Sequence, residues 1–109
     1  MKTCIVNDHV VKIGQNAQEN WNILDEAHEG FWFFHLSAFP SCYVIWECDD
    51  ENPPLEAIKE LARICLIHTK HKNAKNIKVD YTQCKNVEKG DVIGEISYVS
   101  KRKVFSVRI

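Results

Sequence analysis

The chain has 109 residues and a formal net charge of −1, with 45% of residues hydrophobic and 27% charged. That length holds one core and excludes two ordinary domains, and the near-average composition excludes disordered and fibrous classes. The charge is divided, with 11 acids and 3 bases in residues 1–60 against 4 acids and 11 bases in residues 61–109; such a split fits a polyanion-binding surface or two halves that neutralise each other.

The longest apolar runs, VIW and FWFF, fall far short of the roughly 20 residues a membrane span needs. The opening MKTCIVNDHV is interrupted too early by Asn7 and Asp8 to be a signal peptide, which predicts a cytoplasmic protein. Cys4, Cys42, Cys48, Cys65 and Cys84 are odd in number and contain no C-x-x-C pair, so they read as buried reduced thiols.

In chain order, TCIV and VVKI flank Asn7-Asp8-His9 and predict a hairpin. NAQENWNILDEAHEG follows, with Ala17, Trp21, Leu24 and Ala27 or His28 on one helical stripe. Asn16 and Glu19 form a variant capping box at its start, and Gly30 is placed to end it in a left-handed turn. FWFFHL and CYVIWEC are apolar on both faces and belong in the middle of a covered sheet. Pro53 and Pro54 open a second helix, LEAIKELARICLIHTK, whose far end carries Lys70, His71 and Lys72. NIKVDYT then alternates strictly, with Ile77, Val79 and Tyr81 on one face, before the strands DVIGEISYV and KVFSVRI, joined by SKRK. The whole predicts a single α+β domain over residues 1–109, with a largely antiparallel mixed sheet of about seven strands and two helices.

Three constellations bear on function. Gly14 before a helix start, with Lys12 upstream, suits a phosphate as well as plain capping. HTKHKNAKNIK (68–78) and KRK (101–103) are acid-free basic runs of the kind that hold phosphate backbones. His35 closes an aromatic row, with Phe31 and Phe33 on its face and Trp32, Phe34 and Leu36 on the other, where an imidazole can stack on or hydrogen-bond a base or ribose, or simply be satisfied within the rim. Catalysis has less behind it. His35 with Cys42 is the nearest approach to a nucleophile and base, and Cys65, His68 and His71 spread over too wide a helical arc to hold a metal. No enzyme activity, cofactor or metal is expected.

The ordered set IGQNAQEN, WFFHL, Pro40, VIW, VDYTQCKNVEK, GEISY and KVFSV resembles the RNA-binding domain called NFACT-R, over about Val11 to Val107. That domain belongs to ribosome quality-control proteins and to short relatives such as the coiled-coil-domain-containing protein 25 group. Where the family usually has G-R-N, this chain has Gly14-Gln15-Asn16; the acid before the W-F-H strand is absent; and Tyr43 stands where a histidine is usual. The matched positions are Asn16, Glu19, Asn20, His35, Pro40, Tyr81, Lys85, Asn86 and Val87. The resemblance implies a stand-alone module for tRNA or ribosomal RNA, linked to translation or ribosome-associated quality control and acting at the large ribosomal subunit, with DNA as a further partner to test. Residues and resemblance together nominate Lys12, Asn16, Asn20, His35, Tyr81, Lys85, Lys89, Lys101 and Arg102 as nucleic-acid contacts. The alternative is a protein-interaction adaptor that docks on a ribosome-associated factor without touching nucleic acid.

Overall fold

The computed structural model describes residues 1–70 and 72–109 and begins with the expected hairpin. Asn7 and Asp8 take φ of 47° and 65°, the pair of positive values that a two-residue turn between twisted strands requires and that Asn and Asp tolerate. They join β1 (Lys2–Val6) to β2 (His9–Ile13), so His9 belongs to the strand rather than the turn.

Helix α1 (Ala17–Glu26) starts as its sequence demands: the Asn16 side chain accepts from Glu19 N at 2.9 Å, and Glu19 accepts from Gln15 N at 3.0 Å. It stops earlier than expected, at Ala27 with φ −75°, and Gly30 does not end it in a left-handed turn. Its stripe is also rotated. Ala17 is exposed, while Asn20 and Ile23 are the buried positions, with Trp21, Leu24 and Ala27 packed beside them.

Strands β3 (Trp32–Leu36) and β4 (Val44–Trp46) pair antiparallel, Phe33 opposite Ile45. They occupy the middle of an entirely antiparallel six-stranded sheet, β1-β2-β4-β3-β5-β8, with β5 at Lys78–Gln83 and β8 at Phe105–Arg108. A second, two-stranded sheet pairs β6 (Val87–Lys89) with β7 (Ile96–Tyr98). Among the described residues the sheet strands therefore number eight, and the strands on either side of SKRK do not pair with each other. That segment is a 3-10 turn, Lys101–Lys103, carrying the chain from β7 across to β5, beside which β8 is laid.

The six-stranded sheet is covered on both faces. Helix α2 (Leu55–Ile67) buries Ala57, Ile58, Leu61, Ala62, Cys65 and Leu66, one stripe at three- and four-residue steps. That stripe lies against Val11, Ile13, Trp32, Phe34, Leu36, Val44, Trp46 and Val79. On the opposite face, Phe33, Tyr43 and Ile45 meet Ile23 of α1, with Val87, Ile96 and Tyr98 of the small sheet packed against them. The result is one α+β domain with a radius of gyration of 12.4 Å. Among the described residues, no helix is long and apolar enough to cross a membrane.

Candidate functional site

At the end of the sheet where β3 leaves and β4 enters, the start of α1, the segment Pro40–Cys42, the end of α2 and the loop around Gly94 surround a groove of about 760 Å³. Gly14 makes the close packing at its floor possible. A Cβ there would overlap the Asn20 Oδ1, and that oxygen is committed, accepting from Tyr43 N at 3.1 Å. Gly14 N in turn donates to Tyr43 O at 3.0 Å. The buried Asn20 amide thus joins α1 to β4, and polar burial is tolerated because the partner is supplied. On the other wall, Gly94 has φ +89°, and a Cβ added to it would crowd Ala17. Tyr43 Oη donates to Gly94 O, and Trp21 Nε1 donates to Glu95 O at 3.1 Å, which fasten this loop to the segment entering β4 and to α1.

The groove is electrostatically one-sided. Lys2, Lys70, Lys72, His35 and His68 line it, and none of its described lining residues is an acid. Among the described residues, none of the three lysines is held in an ion pair. Gln15, Asn16 and Ala17 place the α1 N-terminus on the same wall. Only part of that terminus is satisfied by Asn16 and Glu19, so its remaining N–H groups and the positive end of the helix dipole add to the field.

His35 sits on this wall at the end of β3. Its ring stacks parallel to Phe33 at 6.2 Å between centroids and meets Tyr43 edge-on at 5.8 Å. Nδ1 lies 2.7 Å from Leu36 O. A carbonyl oxygen only accepts, so Nδ1 carries the proton and the neutral ring keeps Nε2 as an acceptor. Burial pushes the imidazole below its usual pKa, opposed by the Leu36 carbonyl and by Asp80. At neutral pH, His35 is an oriented, uncharged acceptor in a cationic groove.

Of the residues nominated from the sequence, Asn16, Asn20 and His35 come together here. The others lie elsewhere. Lys12 is held by Glu47 at 3.2 Å and Glu26 at 3.5 Å, and its hydrogen bond to Glu47 raises its pKa. Lys89 pairs with Asp25 at 2.9 Å and lies 5.1 Å from the Trp21 ring. Tyr81 is on the α2 face, stacked on Phe34 at 5.5 Å and tilted against Phe105. Lys85 borders a depression of about 230 Å³ beside Trp32, Lys103 and Phe105. Lys101 borders another of about 310 Å³ with Lys78 and Asp80, and Arg102 is exposed on the 3-10 turn.

Lys70 and Lys72 belong to the basic run visible in the sequence. Lys2 had no local signal, because only the fold brings β1 alongside the end of α2. Cys42 lines the groove with His35, but its contacts are with Cys65. Of the considered metal triad, His68 Nδ1 contacts Ile64 O at 2.8 Å, and His71 lies outside the described residues. Among the described residues, no group of three His, Cys, Asp or Glu side chains is arranged to hold a metal.

No protein-family model matches this sequence, and no curated protein does. Among solved structures it is similar to the C-terminal part of the fibronectin/fibrinogen-binding protein from Streptococcus suis, at a TM-score of 0.85 and 20% identity. That match covers 98% of this chain and 44% of the other, so this domain spans less than half of that chain. At this identity the likeness is one of fold.

Proposed function

We propose that the domain is an RNA-binding module of the NFACT-R kind, acting in the cytosol on tRNA or ribosomal RNA in translation or ribosome-associated quality control, without chemistry of its own. The observation that carries the reading is the groove with three lysines that form no ion pair among the described residues, a helix N-terminus and no acid among its described lining residues. Phosphates are the ligands for such a field. The neutral His35 ring supports RNA over DNA: its Nε2 accepts from a ribose 2′-hydroxyl, a donor that DNA lacks. The motif order over about Val11 to Val107 supports the family reading. In this fold Gly14, Asn16 and Asn20 of that motif shape the groove, while Asn86 pins the small sheet by accepting from Ser100 N at 2.7 Å.

Labelled single-stranded RNA, tRNA and duplex DNA titrated across a salt series test the reading. For single strands the logarithmic salt slope is about −0.7 per phosphate contacted, so engagement by the three lysines gives a slope near −2. Binding of RNA above duplex DNA with that slope supports the module. Absence of RNA binding at low salt sinks it.

A second reading has its own observation. Val92 and Ile93 are 65% and 52% exposed beside the groove, and the structurally similar streptococcal protein is named for binding other proteins. An adaptor that docks a ribosome-associated factor through this rim would hold its partner through nuclease and high salt, and Val92→Ser with Ile93→Ser would release it.

A further inference from the structure

Three of the five cysteines are protected. Cys48 is buried in the α2-face core; burial pushes the Cys84 thiol up to about 12; burial, then Glu60, raises that of Cys4. Cys42 and Cys65 are arranged differently. Cys42 Sγ donates to Cys65 O at 3.7 Å and Cys65 Sγ donates to Cys42 O at 3.8 Å, so the two residues lie side by side along their backbones. Ser41 Oγ, which accepts from Leu36 N at 3.0 Å, lies 3.9 Å from Cys65 Sγ. Cys65 is fully buried in α2, while Cys42 is partly exposed and lines the groove. One thiol is open to a small reagent, and its neighbour is held behind it.

We propose that Cys42 and Cys65 are a reversible dithiol site for hydroperoxides, and that their disulfide draws the Pro40–Cys42 wall toward α2 and narrows the groove. Its effect on RNA rests on the function proposed above. Hydrogen bonding from Cys65 lowers the Cys42 pKa, whereas that contact and burial raise that of Cys65, so Cys42 is the attacking thiolate.

Its sulfur bonds to one peroxide oxygen, the O–O bond breaks, and the departing hydroxide or alkoxide takes a proton from water. The Cys65 sulfur then attacks the Cys42 sulfenic acid. The S–S bond forms as the S–O bond breaks, and the hydroxyl leaves with the Cys65 proton as water. Two thiols are oxidised by two electrons and one peroxide is reduced. A small external dithiol reverses the change and becomes a disulfide itself. The final S–S distance is about 2.0 Å, shorter than any non-bonded contact, so the two sulfurs must close on each other; Cys65 is packed in the α2-face core, which leaves the displacement to the Pro40–Cys42 side.

Hydrogen peroxide applied to the native protein, followed by non-reducing peptide mapping, tests the site. The expected product has lost two hydrogens, links the Cys42 and Cys65 peptides, and reverts in dithiothreitol. In Cys65→Ala, Cys42 instead proceeds to sulfinic acid. Wild-type mapping is decisive even if that variant folds poorly: no linked peptide, or a link to another cysteine, overturns the proposal.

Oxidised protein should bind single-stranded RNA about threefold to tenfold more weakly, as when one or two phosphates are no longer held. Equal affinity of the two forms overturns the narrowing. If reduced protein binds no RNA, the functional reading fails by itself. The linked peptide and shifts in the Leu36 and Ser41 amide resonances then decide the site, their absence overturning it.

Discussion

The two faces of the six-stranded sheet are built by different means. Against α2, contact is almost wholly apolar, from Val6 to Val79, with polar atoms confined to anchors such as Trp46 Nε1 on Val6 O at 3.0 Å. Against α1 and the small sheet, fewer apolar groups are buried, and polar ones are threaded among them: Asn20, Tyr43, His35 and Asn86, each hydrogen-bonded to a specific partner. Non-directional burial fixes that the sheet forms. Directional bonds on the thinner face fix where α1 starts and where the Gly94 loop closes, and the groove opens at the edge of that face.

The sharpest test of this contrast is a pair of cavities. Leu61 is completely buried in α2, and Ile23 is its counterpart in α1, 2% exposed. Truncation to Ala at such sites costs about 2–5 kcal/mol, depending on how far the surroundings collapse. We expect Leu61→Ala to fall near the top of that range and Ile23→Ala near the bottom, measured by urea denaturation. Equal losses would show that the two faces share the stability evenly.

Next in size is the Gly14–Asn20 contact. Gly14→Ala drives a methyl into the Asn20 amide and should cost about 1–3 kcal/mol as overpacking. Asn20→Ala leaves the Tyr43 N–H without its acceptor, at about 1–3 kcal/mol. Combined, the two changes should cost clearly less than their sum, since the second removes what the first collides with. Strict additivity in denaturation would mean that the residues are not coupled through this contact.

Those two residues also mark how much the sequence disclosed. Asn7-Asp8, the Asn16 cap, the start of α2 after Pro53-Pro54 and the two-faced apolar strands at the sheet centre were legible, because each is a local pattern with a local cause. The register of α1 was not. A stripe counted on apolar residues passes over Asn20, whose burial depends on a partner 23 positions away. The β6 strand, Val87-Glu88-Lys89, is too short and polar to alternate visibly, and the destination of β8 is a matter of topology. Asn16, Asn20 and His35 could be found from motif and position, whereas the grouping of Lys2 with Lys70 and Lys72 exists only in the folded chain.

A smaller effect separates the faces by pH. His35 has a folded pKa below its unfolded one, chiefly through burial. Below the unfolded value of about 6.5, the unfolded chain binds the proton more readily, so stability falls as pH drops toward the folded value. Its contribution is complete above about 6.5. Denaturation midpoints between pH 7.5 and pH 5.5 should therefore fall further for wild type than for His35→Gln, roughly over the range of histidine titration. Matching pH profiles would show that the ring is not held uncharged by the α1 face.

Lys70→Ala with Lys72→Ala should have the least effect on folding and an informative effect on binding. Lys70 and Lys72 are exposed, so stability should change by no more than about 0.5 kcal/mol. If they hold phosphates, the logarithmic salt slope for single-stranded RNA should become shallower by about 1.4, at about 0.7 for each phosphate no longer held. The matched control is Lys12→Ala with Lys89→Ala, which removes the same charge from lysines already occupied by Glu47, Glu26 and Asp25. Those changes also free carboxylates, so they lower affinity only through the general field and leave the slope largely intact. Equal slopes in the two double variants would mean that RNA responds to net charge, wherever it lies. A difference confined to Lys70 and Lys72 assigns the phosphates to the groove, since there a phosphate does not have to displace a carboxylate already in place.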